Sequence, residues 1–162
     1  MVLDSQGTLA FSTLGTLTLG TNVQYGARYI TLSVGDINAG TDAALAAAAA
    51  DLPPGLMLSS QLLASLVAGD PSAGIPGLLT LTLTASDSFN FYGDVSLSTI
   101  DPATGQSSLQ QLTLNTPAIY GYTTPDDPNA VATLTTGTLV WNGLDNGSNN
   151  ASAAPGAVPA NG

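Results

Sequence analysis

The run Leu79-Thr80-Leu81-Thr82-Leu83-Thr84 decides the fold. Aliphatic residues alternate with Thr, and a period of two marks a strand with one buried face and one wetted face. Outward from this run the pattern recurs in short pieces: Leu9-Ala10-Phe11, Thr16 to Gly20, Ile30 to Val34, Phe89-Asn90-Phe91, Val95 to Ser98, Leu112 to Asn115 and Ala132 to Trp141. Between the pieces stand Gly35-Asp36, Gly93-Asp94, Asp101-Pro102, the Pro-Asp cluster at 124–128 and Asn142-Gly143, all of which read as turns.

Many short strands suit a sandwich, a barrel or a β-solenoid. Two details favour the solenoid: the strands are very short, and the Asn-Gly or Asp-Gly signals of tight hairpins are almost missing between them. The expected fold is therefore all-β, a right-handed parallel β-helix whose inward positions form aliphatic ladders. Thr and Ser then face water without needing charge.

The segment 41–77 breaks the alternation. Asp42 is expected to cap a helical turn over Ala43 to Ala50. Leu52-Pro53-Pro54-Gly55 forces an extended kink. Ser59 then reads as the N-cap of a helix from Ser60 to Ala68, with Leu58 and Leu63 as a hydrophobic staple and Gly69 as its stop. Leu62, Leu63, Leu66 and Val67 share one face and are expected to pack on the strands. The organisation read from this is a β-helix segment over 1–145, a short α-helical insert at 41–69, and a flexible tail rich in Gly, Ala, Pro and Asn at 146–162.

Composition removes whole classes of function. The chain has 162 residues and a net charge of −10; all eleven acidic residues are Asp, and Arg28 is the only base. With no His and no Cys there is no zinc site of the usual kind, no imidazole or thiol catalyst and no disulfide. One Arg cannot neutralise a phosphate backbone, so no nucleic-acid partner is expected. Anionic membrane surfaces are repelled. The stretch Ala43 to Ala50 is far short of a spanning helix, so no membrane insertion is expected either. The first residues lack the basic and apolar regions of a secretory signal, so the sequence reads as a fragment of a longer exported chain.

The order Leu52-Pro53-Pro54-Gly55-Leu56, Leu58-Ser59-Ser60-Gln61-Leu62-Leu63, Leu79-Thr80-Leu81, Phe89-Asn90-Phe91-Tyr92-Gly93 and Leu112-Thr113-Leu114 resembles a region of filamentous haemagglutinin-like exoproteins. These are long bacterial adhesins exported by two-partner secretion. The resemblance covers most of residues 3–145. It implies a β-helical shaft on the surface of a Gram-negative bacterium, or secreted from it, serving cell adhesion. Its implied partners are the neighbouring domains of the same chain, an outer-membrane secretion partner, and a host-cell or biofilm glycan or protein receptor.

The reading of the residues gives no catalytic site and no cofactor. A polysaccharide-degrading enzyme would need two facing carboxylates, and Asp87 with Asp94 is the best pair; the simpler role for both is to hold turn N–H groups. Calcium is the better of these alternatives, since eleven Asp without basic partners leave carboxylates free for a hard cation; its candidates are Asp145-Asn146-Gly147-Ser148-Asn149, which lacks the closing bidentate acid, and Asp126-Asp127. A carbohydrate-binding module of the same fold would use exposed aromatics, and Tyr92, Tyr120, Tyr122 and Arg28 are the candidate glycan contacts. In that strand Phe89 and Phe91 are expected to point inward, with Asn90 and Tyr92 outward. The Thr-x-Thr rows also raise ice binding, against which their irregular spacing argues.

Overall fold

A computed structural model describes residues 2–4, 7–123 and 128–144. The strands are β1 (Val2–Asp4), β2 (Thr8–Ser12), β3 (Gln24–Gly26), β4 (Tyr29–Gly40), β5 (Gly55–Leu58), β6 (Thr80–Tyr92), β7 (Val95–Ser98), β8 (Ile100–Asp101), β9 (Gln106–Ser107), β10 (Gln111–Asn115), β11 (Ile119–Tyr122), β12 (Ala132–Thr135) and β13 (Leu139–Asn142). Two helices, α1 (Asp42–Ala47) and α2 (Ser60–Val67), flank β5. The protein is all-β in class, and its main sheet is parallel.

In that sheet β2, β4, β6, β10 and β13 lie side by side in chain order. Aligned residues are 21, 51, 31 and 27 positions apart (Thr8 to Tyr29, Tyr29 to Thr80, Thr80 to Gln111, Leu112 to Leu139). Each gap exceeds the dozen or so residues that a parallel crossover requires. Two further parallel pairs, β1 with β3 and β7 with β12, lie off this sheet. Among the described residues antiparallel pairing is confined to the small hairpin of β8 and β9 and an isolated bridge between Asp70 and Ile75.

The alternation read from Leu79 to Thr84 becomes two continuous ladders. One is Leu9, Ile30, Leu81, Leu112 and Leu139; the other is Phe11, Leu32, Leu83, Leu114 and Trp141. The middle members are buried, whereas Leu139 and Trp141 on the last strand are exposed. On the opposite face Thr31, Thr82 and Thr113 line up, as do Ser33, Thr84, Asn115 and Asn142. Rows that are irregular along the chain are thus regular across the sheet, because the connections differ in length while the pairing holds one register.

Halfway along, the sheet bends at a bulge. Val34 aligns with Ala85 but Asp36 with Ser88, so Gly35 faces the two residues Ser86 and Asp87. A bulge of this kind shifts the alternation and re-aims side chains. In β4 the inward set changes from Ile30, Leu32 and Val34 to Ile37 and Ala39. Beyond the bulge β5 pairs with β4, and Leu56 of β5 bridges to Leu17. The resulting ladder is Leu17, Leu56, Ile37, Phe89 and Ile119.

The insert behaves partly as expected. Ser59 caps α2, accepting from the Leu62 N–H at 3.2 Å, and Leu62, Leu63, Leu66 and Val67 are buried. Leu58 and Leu63, the staple pair, are buried as well. The helix lies against β7 and β3. Ser60 Oγ donates to the Ser96 carbonyl at 2.7 Å and Ser65 Oγ to the Thr21 carbonyl at 3.0 Å.

Several expectations are corrected. The cap of α1 is Thr41, whose hydroxyl accepts from Ala44 N–H at 3.1 Å; Asp42 is already in the first turn, and the helix stops at Ala47. The insert is not purely helical, since Gly55–Leu58 joins the sheet. Gly35-Asp36 is no turn but runs on inside β4, opposite the bulge of β6. Thr16 to Gly20 is not a full strand and pairs only through Leu17, which bridges to Leu56 on the edge of β5. Ala132 to Trp141 divides into β12 and β13. The tail at 146–162, Asp126-Asp127 and the whole of the Asp145 to Asn149 loop lie outside the described residues.

Candidate functional site

Beyond the bulge, alternation places Ile37, Ala39, Phe89 and Phe91 on the core side and Asp36, Asn38, Ser88, Asn90 and Tyr92 on the other. Phe89 and Phe91 pack with ring centroids 5.0 Å apart. The other face is where the sequence places Asn90 and Tyr92, yet it is not open. Asn38 is 1% exposed, Asn90 0% and Ser88 1%, so three polar side chains are fully withdrawn from water. Part of the cover is the Pro-Pro kink: Asn38 Nδ2 donates to the Pro53 carbonyl at 3.0 Å.

These side chains satisfy one another. Asn90 Nδ2 donates to Asn38 Oδ1 at 3.1 Å, and Ser88 Oγ lies 3.0 Å from Asn90 Oδ1 and 2.6 Å from Asp36 Oδ1. Among the described residues no buried side-chain nitrogen or oxygen lacks a partner. Burial raises the Asp36 pKa and hydrogen bonding from Ser88 opposes that; neighbouring Asp87 raises it further, and Asn90 opposes.

Two of the tyrosines form a stack at the end of this face. Tyr122 of β11 aligns with Tyr92 of β6, and their rings lie 4.7 Å apart at 7°. Tyr92 is buried, and its hydroxyl is pushed well above the ordinary tyrosine range by burial first, then by Tyr122, Asp36 and Asp51. Burial also raises the Tyr122 hydroxyl, with Tyr120 and Asp36 adding to it. Tyr120 aligns with Asn90 and is half-buried beside Tyr122 on the same strand. The structure therefore brings Tyr92, Tyr120 and Tyr122 together, but the Tyr92 face that meets Tyr122 is closed to a sugar.

Arg28 is not part of this group. It is exposed just before β4, whose far end, Gly40, aligns with Tyr92. Strand rise along these twelve residues amounts to roughly 40 Å.

Asp87 and Asp94 do not face each other. Asp87 sits exposed at the bulge, and the strand from there to Tyr92 alone runs about 16 Å. Asp94 Oδ1 instead accepts at 2.6 Å from the N–H of Val131, 37 positions away, which ties the chain before β7 to the chain before β12. Clefts open beside α2 near Ser98 to Pro102, along Leu17 to Thr21 facing α1, and around Thr21 to Gln24; none is lined by more than one carboxylate. Among the described residues no three acidic side chains converge on a point where they could hold a metal ion, and no helix is long and apolar enough to cross a membrane.

The sequence reads Asp36 only as part of a turn and gives Asn38 and Ser88 no role. Their only signal was a polar alternation on either side of Gly35, which reads as a turn until Ser88 is brought opposite Asp36. Comparison of the chain with protein-family models, curated proteins and solved structures finds no match.

Proposed function

We propose that this chain is a structural, adhesive segment of a large secreted or surface-displayed filament of the haemagglutinin-like kind from a Gram-negative bacterium, and that it performs no catalysis. The fold that goes with this reading is a right-handed parallel β-helix, each return of the chain adding a rung to the stack. One observation carries it: the register Leu9, Ile30, Leu81, Leu112, Leu139 runs through five parallel strands in chain order. Such a stack lengthens by repetition and needs no chemistry. Right-handedness follows the strong general preference of parallel crossovers. Export through an outer-membrane partner and continuation into neighbouring domains belong to the same proposal, as does binding to a host-cell or biofilm receptor.

A second reading is glycan binding by this segment itself. It is favoured by Tyr120 and Tyr122, which stand on β11, a strand paired only to β6 among the described residues. A glycan array separates the two. The structural reading expects no saturable binding by the isolated chain; saturable binding lost in Tyr120→Ala would replace it with a carbohydrate-binding module. Turnover of a polysaccharide, abolished by Asp87→Asn, would overturn both.

A further inference from the structure

The buried polar row beyond the bulge has a direction, and the direction is set at one end. The Pro53 carbonyl can only accept a hydrogen bond, so Asn38 must turn its Nδ2 toward it, at 3.0 Å. Asn38 Oδ1 then faces Asn90, which must present Nδ2, at 3.1 Å. Asn90 is left with Oδ1 toward Ser88, at 3.0 Å, and an amide oxygen there requires the Ser88 hydroxyl proton. Reversing either amide would set two acceptors against each other in a dry site, where an unmade hydrogen bond is costly.

Ser88 has a single hydroxyl proton. Once it is given to Asn90, the 2.6 Å contact between Ser88 Oγ and Asp36 Oδ1 has no proton from the serine side. It is a close, buried O···O contact, and Asp36 itself is 7% exposed. We propose that Asp36 is protonated in the folded protein and donates to Ser88, so that Asp36, Ser88, Asn90, Asn38 and the Pro53 carbonyl form one chain of hydrogen bonds that is complete only with that proton.

The charges around Asp36 act in the same sense. Asp87, in the bulge of β6, brings its carboxylate to Gly35; its Oδ2 would lie 3.4 Å from a Cβ added there. Tyr92 of β6, Tyr122 of β11 and, through Tyr92, Asp51 of the insert are the other titratable groups coupled to this face, and all become negative on ionisation. Only donation from Ser88 and Asn90 would favour the ionised carboxyl, and in this row the Ser88 proton goes to Asn90 while Asn90 Nδ2 serves Asn38. The sole Arg in the chain, Arg28, is at the other end of β4. No cation faces the carboxyl among the described residues.

The consequence is a proton-dependent stability. A carboxyl whose folded pKa is raised contributes fully below its unfolded value, about pH 4, and that contribution is lost as pH rises through the folded value. This segment is then tighter in acid than in neutral surroundings, by a device lying under the Pro-Pro kink.

The test is a carboxyl-carbon NMR titration of the whole chain. Asp36 should keep its proton well above about pH 4, the ordinary Asp value; ionisation at or below that value overturns the proposal. Thermal melts of wild type and Asp36→Asn from about pH 4 upward give a second readout. Asn at 36 offers Nδ2 to Ser88 in place of the acid proton, so its melting temperature should gain on wild type as pH rises, by about 3 °C or more. A gap that is constant with pH, or that moves in the wild type's favour, also overturns it. If Asp36→Asn does not fold, the wild-type titration still decides.

Discussion

The two halves of β4 and β6 solve the same packing problem differently. Before the bulge, Ile30, Leu32, Leu81 and Leu83 fill the core while Thr31, Thr82 and Thr84 meet water. After it, Ile37 and Phe89 continue the core, but the reverse face carries Asn38, Ser88 and Asn90, which are buried. One half is therefore held from one side, by apolar contact whose worth scales with area. The other is held from both sides, and the second side works only if every hydrogen bond is made. The first half tolerates change on its outer face and the second does not.

Substitutions on the two halves test that contrast. The largest effect expected is from Phe89→Ala, which empties a fully buried position next to the bulge and should cost about 3–5 kcal/mol. Leu81→Ala on the other half should cost about 2–5 kcal/mol, since the core side is common to both. Both are read from urea midpoints at unchanged slope.

Gly55→Ala comes next. A Cβ there would sit 1.9 Å from the Asp36 carbonyl oxygen, backbone against backbone, so β5 must move away from β4. A loss of about 3 kcal/mol is expected, at the upper end for overpacking. A near-neutral result would show that the insert is only loosely laid along the sheet.

The outer faces give the sharpest comparison. Asn90→Ala leaves Asn38 and Ser88 short of a partner in a dry site and should cost about 2 kcal/mol. Thr82→Ala, in the matching outward position before the bulge, should stay within about 0.5 kcal/mol. Equal costs at the two positions would erase the distinction between the halves. Between these lies Tyr122→Ala, which removes the ring stacked on Tyr92 and should cost about 1 kcal/mol.

The first half was legible in the sequence and the second largely was not. Leu-Thr alternation needs no partner to be understood, because each strand buries one face whatever lies beside it. Asp36 and Asn38 mean nothing locally: Asp and Asn are poor strand residues and Gly-Asp is a good turn. They make sense only opposite Ser88 and Asn90, which lie 52 positions away in the chain. The same limit applies to Thr16 to Gly20, a good strand pattern whose one pairing, Leu17 with Leu56, depends on a remote segment, β5. For the tyrosines, the sequence singles out Tyr92, Tyr120 and Tyr122 as candidate contacts, but not that Tyr122 closes over Tyr92.

The unequal gaps between aligned residues, from 21 to 51, have a consequence for how such a molecule can change. Strand positions are dictated by their neighbours in the sheet, while the length of the segments between them is bound only by the need to come back in register. One of those segments already carries two helices and a borrowed strand; another carries the β8–β9 hairpin, whose tip from Pro102 to Gly105 is exposed. Foreign sequence placed at that tip would be displayed at a fixed height along the body without disturbing what lies beneath. The molecule keeps its frame and its cargo in separate accounts, so selection can rewrite one while leaving the other untouched.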